Sequence, residues 1–307
     1  MARALLALQV VPGKVLRIST SDGRVDTLVE DAGAAPDGIV ADAGTVYWTT
    51  MGEPTSDPGT QGEAGQDFSR PNGGLHAADL DSGLTYDVLP AGSITTGKQL
   101  TGDGAGTLYW GDREGRRVSR VRSDGSDPRP TDLVVNPADD GIMAECVGVA
   151  VDPARGHLYW TQKGPAKGGL GRILRAGLDL PVGETPENRS DIEVLWDGLP
   201  EPIDLHLHGD RLYWTDRGAP PAGNTLNRAP LPAPGEPGAA PEILADGFTE
   251  AIGLAVDTEE GIAYVSDLGG RIRAVPLPDG PAAGRAPYTV AEPGHPLTGL
   301  CLLPGKR

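Results

Sequence analysis

A five-residue signal that returns at intervals of roughly 50 residues restricts the fold of this chain more than any other feature. Its clearest copy reads Leu-Tyr-Trp-Thr-Asp at residues 212–216. Further copies stand at residues 46–50, 108–112 and 158–162, and a weaker one stands at 263–267. Four of the five tryptophans lie inside these copies. A repeat of this length is typical of propellers, solenoids and other arrays.

Each copy lies in a longer frame that predicts four short strands. Upstream of each copy stands a short apolar segment, such as Gly-Val-Ala-Val-Asp at 148–152. Downstream come a third segment with the pattern Gly-basic-apolar-x-Arg, clearest at 171–175, and a fourth segment such as 193–196. Alternating strands separated by Gly, Pro and Asp turns describe one antiparallel blade, and the frame has no room for a crossover helix.

The two ends of the chain supply complementary parts of a further blade. Residues 299–303 provide one more first strand, whereas residues 4–10, 13–18 and 25–29 provide a second, third and fourth strand without a first. Joining them removes two open sheet edges. We therefore predict an all-β, six-bladed β-propeller with four antiparallel strands per blade. Its last blade combines residues 1–30 with 297–303, so that one C-terminal strand joins three N-terminal strands, and a single domain spans 1–307.

The motif, the Gly-x-Ala-Val-Asp segment and the six-fold count resemble the YWTD propellers of lipoprotein-receptor ectodomains. The resemblance covers nearly the whole chain. It implies the propeller fold, but it leaves the function open because propellers serve as receptors, lactonases, lyases and scaffolds alike. The chain departs from the receptor members in having no neighbouring module or cysteine-rich domain. We therefore expect a stand-alone propeller, and we expect a monomer.

The charge of the chain excludes two classes of partner. Its 307 residues carry a net charge of −17 with a pI near 4.6, whereas proteins that bind nucleic acid or an anionic membrane surface present basic patches. No segment reaches the ~20 apolar residues of a membrane span, and residues 1–11 resemble a signal peptide only faintly. We expect a cytoplasmic protein. Cys146 and Cys301 belong to blades on opposite sides of the ring, so we expect two buried thiols and no disulfide.

Long loops gather on the face of the ring where the second strand of each blade leads to the third. The longest is a Gly-, Pro- and Glu-rich insertion at 51–72, whose one aromatic residue is Phe68. The loops that enter the first strands open on the same face and rim the channel. Loops of this length are lids, binding segments or disordered, and the sequence leaves that choice open.

Carboxylates recur at equivalent positions of this rim. Three consecutive blades place Glu145, Glu201 and Glu250 before their first strands, and Asp37 and Asp204 stand close by in the aligned frames. Such an arc could hold a hard divalent cation such as calcium, with Glu145, Glu201 and Asp204 as the candidate metal ligands. It resembles the metal-bearing channels of lactonase-type propellers, although their Asn and Asp ligand set has no match here. The alternative is that the glutamates face solvent or pair with arginines.

Asp204 and His206 are the candidate catalytic pair. Because alternate residues of a strand point the same way, they could act as acid and base, and we expect them to meet a ligand held under the insertion. A hydrogen-bonded core histidine is the plainer interpretation of His206. Lys98 could bind a carboxylate, form an imine or simply form a salt bridge. The candidate substrate-binding residues are Asp37, Lys98, Gln99, Glu250, His295 and Phe68.

The motif residues themselves are expected to be structural. Asp112 and Asp216 end second strands, while Arg120 and Arg228 stand in the third strands of the same blades. This arrangement predicts an Asp–Arg pair within the blade. The Tyr and Trp of each copy are expected to pack between blades.

Two functions remain open. In the first, the funnel binds a small organic molecule and performs acid–base chemistry of a hydrolase, lyase or isomerase type, with or without a metal. In the second, the ring is a non-catalytic platform for a protein partner. No nucleophile elbow, phosphate loop or zinc spacing supports nucleophilic or zinc chemistry. The long, lid-like insertion favours the first function.

Overall fold

The protein is described by a computed structural model that covers residues 3–57 and 65–303. Over these residues the chain forms six four-stranded antiparallel sheets and one two-stranded hairpin. The six sheets confirm the six-bladed β-propeller. A short 3-10 helix, Ala138–Ala144, lies in the loop between the second and third blades.

In chain order the strands are β1 (Ala4–Gln9), β2 (Lys14–Ser19), β3 (Val25–Val29), β4 (Pro36–Asp42), β5 (Thr45–Thr50), β6 (Thr55–Ser56), β7 (Gln66–Asp67), β8 (Gly73–Asp79), β9 (Thr85–Ile94), β10 (Gly97–Gly102), β11 (Thr107–Asp112), β12 (Arg117–Arg122), β13 (Thr131–Val135), β14 (Cys146–Asp152), β15 (His157–Gln162), β16 (Gly171–Gly177), β17 (Glu193–Leu199), β18 (Pro202–His208), β19 (Arg211–Asp216), β20 (Thr225–Pro230), β21 (Glu242–Ala245), β22 (Ala251–Asp257), β23 (Ile262–Asp267), β24 (Ile272–Pro276), β25 (Tyr288–Ala291) and β26 (Leu297–Leu303).

The ring closes where the two ends of the chain meet. Blades 1 to 5 begin with β4, β10, β14, β18 and β22, and blade 6 has the strand order β26-β1-β2-β3. Leu5 pairs with Leu302 and Leu6 pairs with Cys301 in antiparallel register. One C-terminal strand therefore joins three N-terminal strands, as predicted.

The Tyr and Trp of the motif pack between blades, as predicted. Trp160 of blade 3 shares a buried cluster with Tyr109 of blade 2, and Trp214 of blade 4 shares one with Tyr159 of blade 3. The four motif tryptophans are at most 2% exposed. Large aromatic side chains buried between neighbouring blades join the thin sheets into one continuous core.

The threonine of the motif links the innermost strands of adjacent blades. In blade 3 the Thr161 hydroxyl accepts a hydrogen bond from the Gly148 N–H at 2.6 Å and donates one to the Ile203 carbonyl of blade 4 at 2.9 Å. Thr49 and Thr215 donate to the next blade in the same way. Glycine fits at position 148 because a Cβ there would lie 2.0 Å from the Ile203 carbonyl oxygen. Backbones of neighbouring blades come close at this position, and glycine, which has no side chain, allows it.

The predicted partners of the motif aspartates, Arg120 and Arg228, are wrong. The register places Arg228 opposite Tyr213, and its guanidinium pairs with Glu242 at 2.7 Å. Asp216 instead accepts the backbone N–H of Glu201. In blade 2 Arg120 likewise lies opposite Tyr109, and Asp112 pairs with Arg117 at 3.1 Å. The motif aspartate therefore fixes the loop that enters the first strand, and so helps to position the rim of the channel.

The insertion at 51–72 is anchored to the ring at both described ends. β6 and β7 pair as a hairpin, and residues 58–64 lie outside the described residues. Phe68 is buried, with the Arg113 guanidinium 5.6 Å from its ring centre. The Thr96 hydroxyl donates to the Phe68 carbonyl at 2.9 Å. The described parts of the insertion are therefore ordered on the ring.

Among the described residues, no helix has both the length and the apolar character that crossing a membrane requires. Both cysteines are unpaired. Cys146 is buried, as expected, whereas Cys301 is only partly buried. The cytoplasmic location and the monomeric state stay predictions.

Candidate functional site in the central channel

The channel is built from the six innermost strands, β4, β10, β14, β18, β22 and β26. Near its start each strand shifts register against its neighbour, between Pro202 and Leu205 in blade 4 for example. At this shift the six blades place Gly38, Gln99, Gly148, Asp204, Gly253 and Gly299. We call the channel before the shift, on the side of the insertion, the upper mouth. The part after the shift is the lower channel.

The carboxylates of the upper mouth are paired with cations. The fully buried Glu201 carboxylate lies 2.7 Å from Arg217 Nε and 3.7 Å from Lys163 Nζ. It also accepts the backbone N–H of Lys167 at 2.9 Å. A buried carboxylate is tolerated when charges and hydrogen bonds of this kind compensate its lost hydration. Glu201 is therefore held by the protein itself.

The three predicted metal ligands each have protein partners. Lys163 Nζ lies 3.8 Å from Glu145 as well as 3.7 Å from Glu201, so it lies between two of the predicted ligands. Asp204, the third, is bonded to backbone N–H groups. Over residues 3–57 and 65–303, no three His, Cys, Asp or Glu side chains are arranged to hold a metal ion. Glu145 and Glu201 thus lie beside basic side chains, as in the alternative interpretation of the arc, and the calcium set Glu145, Glu201 and Asp204 stays a prediction.

The basic partners were missed at the sequence level, although the repeat carried a signal for them. Arg113, Lys163 and Arg217 directly follow the motif copies of blades 2, 3 and 4. Each is less than 10% exposed. Because the residue after the second strand and the residues before the first strand meet on one face, the frames that aligned the glutamates could also have aligned these cations.

Lys98 forms a buried salt bridge. Its Nζ lies 2.8 Å from Asp37 Oδ1 and 3.3 Å from Met51 Sδ, while Gln99 Nε2 donates to Asp37 Oδ2 at 3.1 Å. Burial lowers the pKa of Lys98, and the facing Asp37 opposes that shift. Of the three interpretations of Lys98, the structure shows the salt bridge, and the contact with Met51 ties the insertion to the ring.

An apolar cluster lies at the register shift between blades 3, 4 and 5. Val147, Ile203 and Ile252 stand immediately before the register shift in blades 3, 4 and 5, pack on one another and are at most 4% exposed. None of the three lines the cavity below them. The space under the insertion and the pair Asp204 and His206 therefore face different parts of the channel, contrary to the expectation of one continuous funnel.

The lower channel contains a cavity of 350 Å³. Its wall comes from blades 1, 2, 4, 5 and 6 and is mostly aliphatic. The polar side chains in the wall are Asp204, His206, Thr101 and Cys301, and the wall includes no Lys or Arg. His206, Thr101 and Cys301 are partly accessible, whereas Asp204 is buried. The cavity therefore opens toward the face opposite the insertion.

Polar side chains alternate around one level of this cavity. Two residues past the register shift, the blades place Val40, Thr101, Ala150, His206, Ala255 and Cys301 in ring order. Blades 2, 4 and 6 thus supply a hydroxyl, an imidazole and a thiol, with an apolar side chain between each pair. Asp204 stands one level above them, on the same strand as His206.

Asp204 is a buried carboxyl group without a cationic partner among the described residues. Its Oδ1 accepts the N–H of Leu205 at 2.8 Å, and its Oδ2 accepts the N–H of Leu254 in blade 5 at 2.9 Å. Burial raises the pKa of Asp204 to about 8, and the charge of Asp37 adds to the rise while the two N–H groups oppose it. The group therefore exchanges its proton in the range where enzymes operate.

His206 faces the cavity with its ring free of hydrogen bonds to other described residues. Burial lowers the pKa of His206 to about 4, and the nearby His208 contributes. A neutral imidazole offers one N–H donor and one acceptor nitrogen. The interpretation of His206 as a hydrogen-bonded core residue does not describe this ring.

The other predicted binding residues lie apart from this pair. Asp37, Lys98, Gln99 and Glu250 belong to the upper mouth, and His295 is exposed on the loop before β26. Phe68 lines a separate cavity of 620 Å³ between the insertion and the β1–β2 turn. Asp204 and His206 therefore line one cavity, and the remaining candidates do not line it.

A relative among known proteins decides the family. The chain is 38% identical over 284 residues to "Low-density lipoprotein receptor-related protein 1" of Pyricularia oryzae, an alignment that covers 87% of this chain and 86% of that protein. The chain belongs to the family of YWTD propellers related to lipoprotein receptors. This YWTD propeller is also 36% identical over 279 residues to "3-hydroxyacyl-CoA dehydrogenase-like protein LAM1" of Cochliobolus heterostrophus, covering 85% of this chain but only 55% of that protein. No protein-family model matches the chain.

Solved structures share the fold of this YWTD propeller. A chain in the crystal structure of a nidogen/laminin complex superposes with a TM-score of 0.69 and 18% identity, covering 99% of this chain and all of that one. Regucalcin of Agrobacterium tumefaciens, a calcium-binding protein, gives 0.58 and 18%, covering 89% of this chain and 80% of its own. A luciferin-regenerating enzyme gives 0.58 and 13%, covering 86% and 78%. At these identities the likeness shows the fold alone.

Proposed function

We propose that this propeller binds a small organic molecule in the lower cavity and performs acid–base chemistry on it with Asp204 and His206. The observation that supports the proposal is a buried carboxyl group, without a cationic partner among the described residues, beside an imidazole in a mostly aliphatic cavity. Burying such a group costs stability, and perturbed titratable groups in a cavity are typical of functional sites.

The two groups suit a proton transfer because their environments push their pKa values apart. The pKa of Asp204 is raised to about 8, whereas that of His206 is lowered to about 4. At neutral pH the carboxyl group holds its proton in most molecules and the imidazole is uncharged. Pairs separated in this way carry out hydrolysis, elimination and isomerisation in enzymes. The luciferin-regenerating enzyme among the fold relatives makes an enzymatic propeller of this shape a reasonable model for the chain.

Binding of uncharged probes tests the proposal. Cyclohexanone and cyclohexanol should bind the wild-type protein in saturation-transfer NMR. His206→Ala should weaken that binding about 10-fold, since it removes one hydrogen bond of roughly 1.5 kcal/mol, and Asp204→Asn should weaken it because the amide cannot reproduce the geometry of the carboxyl group held by two N–H groups. His208→Ala is the matched control, because His208 is exposed on the same strand, and it should bind like the wild type.

Chemical modification of Cys301 is an independent test of ligand binding in the same cavity. Methylmercury chloride should modify Cys301, which lines the cavity, and should spare the fully buried Cys146. Bound cyclohexanone should slow the modification. Binding that survives Asp204→Asn and His206→Ala but is lost in Lys98→Met would move the function to the upper mouth. No binding of either probe, with Cys301 unprotected, would favour the alternative, a non-catalytic platform for a protein partner.

A further inference from the structure

The charge of the lower cavity restricts the class of ligand. No Lys or Arg lies in its wall, and the imidazole of His206 is neutral above a pKa of about 4. A ligand with a carboxylate or phosphate would find no counter-charge there, and the net charge of −17 would oppose its approach. The aliphatic wall and the small volume favour a compact, uncharged molecule.

The spacing of the polar groups restricts the ligand further. Asp204 stands in the register shift near the start of β18 and His206 lies two residues further along the strand, and both line the lower cavity. Two residues of a strand span roughly 6 to 7 Å. The two backbone N–H groups bonded to Asp204 hold its carboxyl group in place. A ligand between the two side chains can offer an acceptor atom to His206 and an adjacent C–H to Asp204. Such an arrangement of atoms occurs in a carbonyl compound.

We infer that the site acts on small, uncharged carbonyl compounds with a hydrogen on the carbon beside the carbonyl, Asp204 removing that proton while His206 holds the carbonyl oxygen. The inference rests on the proposed function and names its substrate class and the role of each residue. Proton abstraction of this kind needs no metal, oxidant or second substrate. It makes the protein an isomerase of carbonyl compounds.

The chemical step balances within the site. The C–H bond breaks and its proton goes to the Asp204 carboxylate. The electron pair left on carbon forms a C=C bond, and the carbonyl π electrons move to oxygen, which keeps its hydrogen bond from the His206 N–H. Returning the proton from Asp204 to the same carbon restores the starting compound, and returning it elsewhere gives an isomer.

The assignment of the base to Asp204 follows from proton affinity. A carboxylate whose pKa is raised to about 8 holds a proton far more strongly than an imidazole whose pKa is lowered to about 4, and stronger bases abstract carbon-bound protons faster. A neutral imidazole is the better partner for the oxygen, because its N–H stabilises the charge that develops there. The Thr101 hydroxyl lies in the same wall and can add a second donor.

The rate should rise with pH as Asp204 ionises around pH 8. Asp37 faces Asp204 from across the channel and is itself bound to Lys98. His208 acts on His206. The pKa of Cys301 in the same wall is raised to about 12 by burial, so its thiol stays uncharged over this range. Asp204 is therefore the group in the wall whose charge changes between pH 6 and 10.

Hydrogen exchange tests the inference without knowledge of the natural substrate. Cyclohexanone in D₂O should lose its NMR signals beside the carbonyl at least 10-fold faster with the protein than in buffer. Asp204→Asn should return the rate to that of buffer. His206→Ala should remove most of the acceleration over buffer, His206→Gln should restore part of it because the amide also donates, and the exposed control His208→Ala should leave it unchanged.

Binding and exchange separate the two proposals. Cyclohexanone that binds without faster exchange would overturn the inference and leave the proposed function standing, whereas absence of binding would overturn the proposed function. Tighter binding of cyclohexylamine than of cyclohexanone would also overturn the inference, because an ionised Asp204 would then recognise an organic cation. If Asp204→Asn does not fold, a wild-type exchange rate that is flat from pH 6 to 10 contradicts the inference.

Discussion

The upper mouth and the lower channel bury carboxyl groups in opposite electrostatic settings. Glu201 is fully buried, with Arg217 at 2.7 Å and Lys163 at 3.7 Å. Asp204 is 8% exposed and accepts only two backbone N–H groups among its described neighbours. Burial is nearly the same in the two places, and the partners differ. The partner of a buried carboxyl group, rather than its burial, therefore distinguishes a structural group from a candidate for chemistry.

The two settings also differ in what each group does for stability. Glu201, with its cations, holds the loop that enters β18, and removing a cation would leave a charge in the interior. Asp204 accepts an N–H from blade 5, but its carboxyl group is costly to bury and its two hydrogen bonds offset only part of that cost. A protein that keeps an unpaired buried carboxyl group in a cavity accepts a loss of stability there, as functional sites often do.

Removal of a cation from the upper mouth should have the largest effect. Arg217→Met leaves Glu201 buried with its nearest cation at 3.7 Å and should cost about 3–5 kcal/mol in the free energy of unfolding. Urea denaturation measures it. Lys167→Met is the matched control, because the Lys167 side chain is 53% exposed and an exposed pair contributes less than about 1 kcal/mol. Equal, small costs for both variants would contradict the structural role of the upper pairs.

Asp204→Asn should raise the free energy of unfolding, whereas Arg217→Met lowers it, and the size of the gain should depend on pH. The pKa of Asp204 is raised in the folded state, so its stabilising contribution is complete below pH ~4, the ordinary value for aspartate, and is lost as pH rises through about 8. Wild type should therefore lose about 2–4 kcal/mol relative to Asp204→Asn between pH 5 and 9.

Unfolding free energies measured at several pH values check this prediction. Asp216, whose pKa burial raises to about 6, titrates in both proteins and cancels from the difference. A difference between wild type and Asp204→Asn that does not change with pH would show that the Asp204 pKa is ordinary.

Calcium should have the smallest effect. Lys163 lies between Glu145 and Glu201, so millimolar calcium should move the melting temperature by less than about 1 °C, since an ion stabilises only the state that binds it. Differential scanning fluorimetry with calcium and with EDTA measures the shift. A rise of several degrees that disappears in Glu145→Gln would restore a metal site to the upper mouth.

The fold could be predicted because the motif occurs five times at a regular spacing. The copies around Trp48, Trp110, Trp160 and Trp214 place a large aromatic at the same step of four frames, and the incomplete frames at the two ends of the chain match each other. The true partners of Asp216 and Arg228 could not be predicted, because they depend on the register between the strands. A shift of a few residues between β19 and β20 places Arg228 opposite Tyr213 and leaves Asp216 to cap a loop.

The sequence indicated which residues line the candidate site, but it did not indicate which side chains contact one another. Asp204 stands where four of the six blades have glycine, and His206 stands where the other blades have smaller side chains. Both residues line the lower cavity. The basic partners of the acidic arc were not predicted, because an alignment of the repeats shows which side chains share a level but not which cations lie next to them. Lys163 and Arg217 arrive from a different strand of the blade. The apolar cluster of Val147, Ile203 and Ile252 was equally hidden, because single apolar residues at a rim give no sign that they meet.

The pKa of the Asp204 side chain tests the central contrast most directly. Carboxyl carbons labelled with ¹³C can be followed by NMR from pH 3 to 10, and the signal missing from Asp204→Asn identifies the group. The structure predicts a midpoint near 8. A midpoint near 4, the ordinary value for an aspartate, would mean that the lower carboxyl group is as well stabilised as those of the upper mouth, and would contradict the account given for the channel.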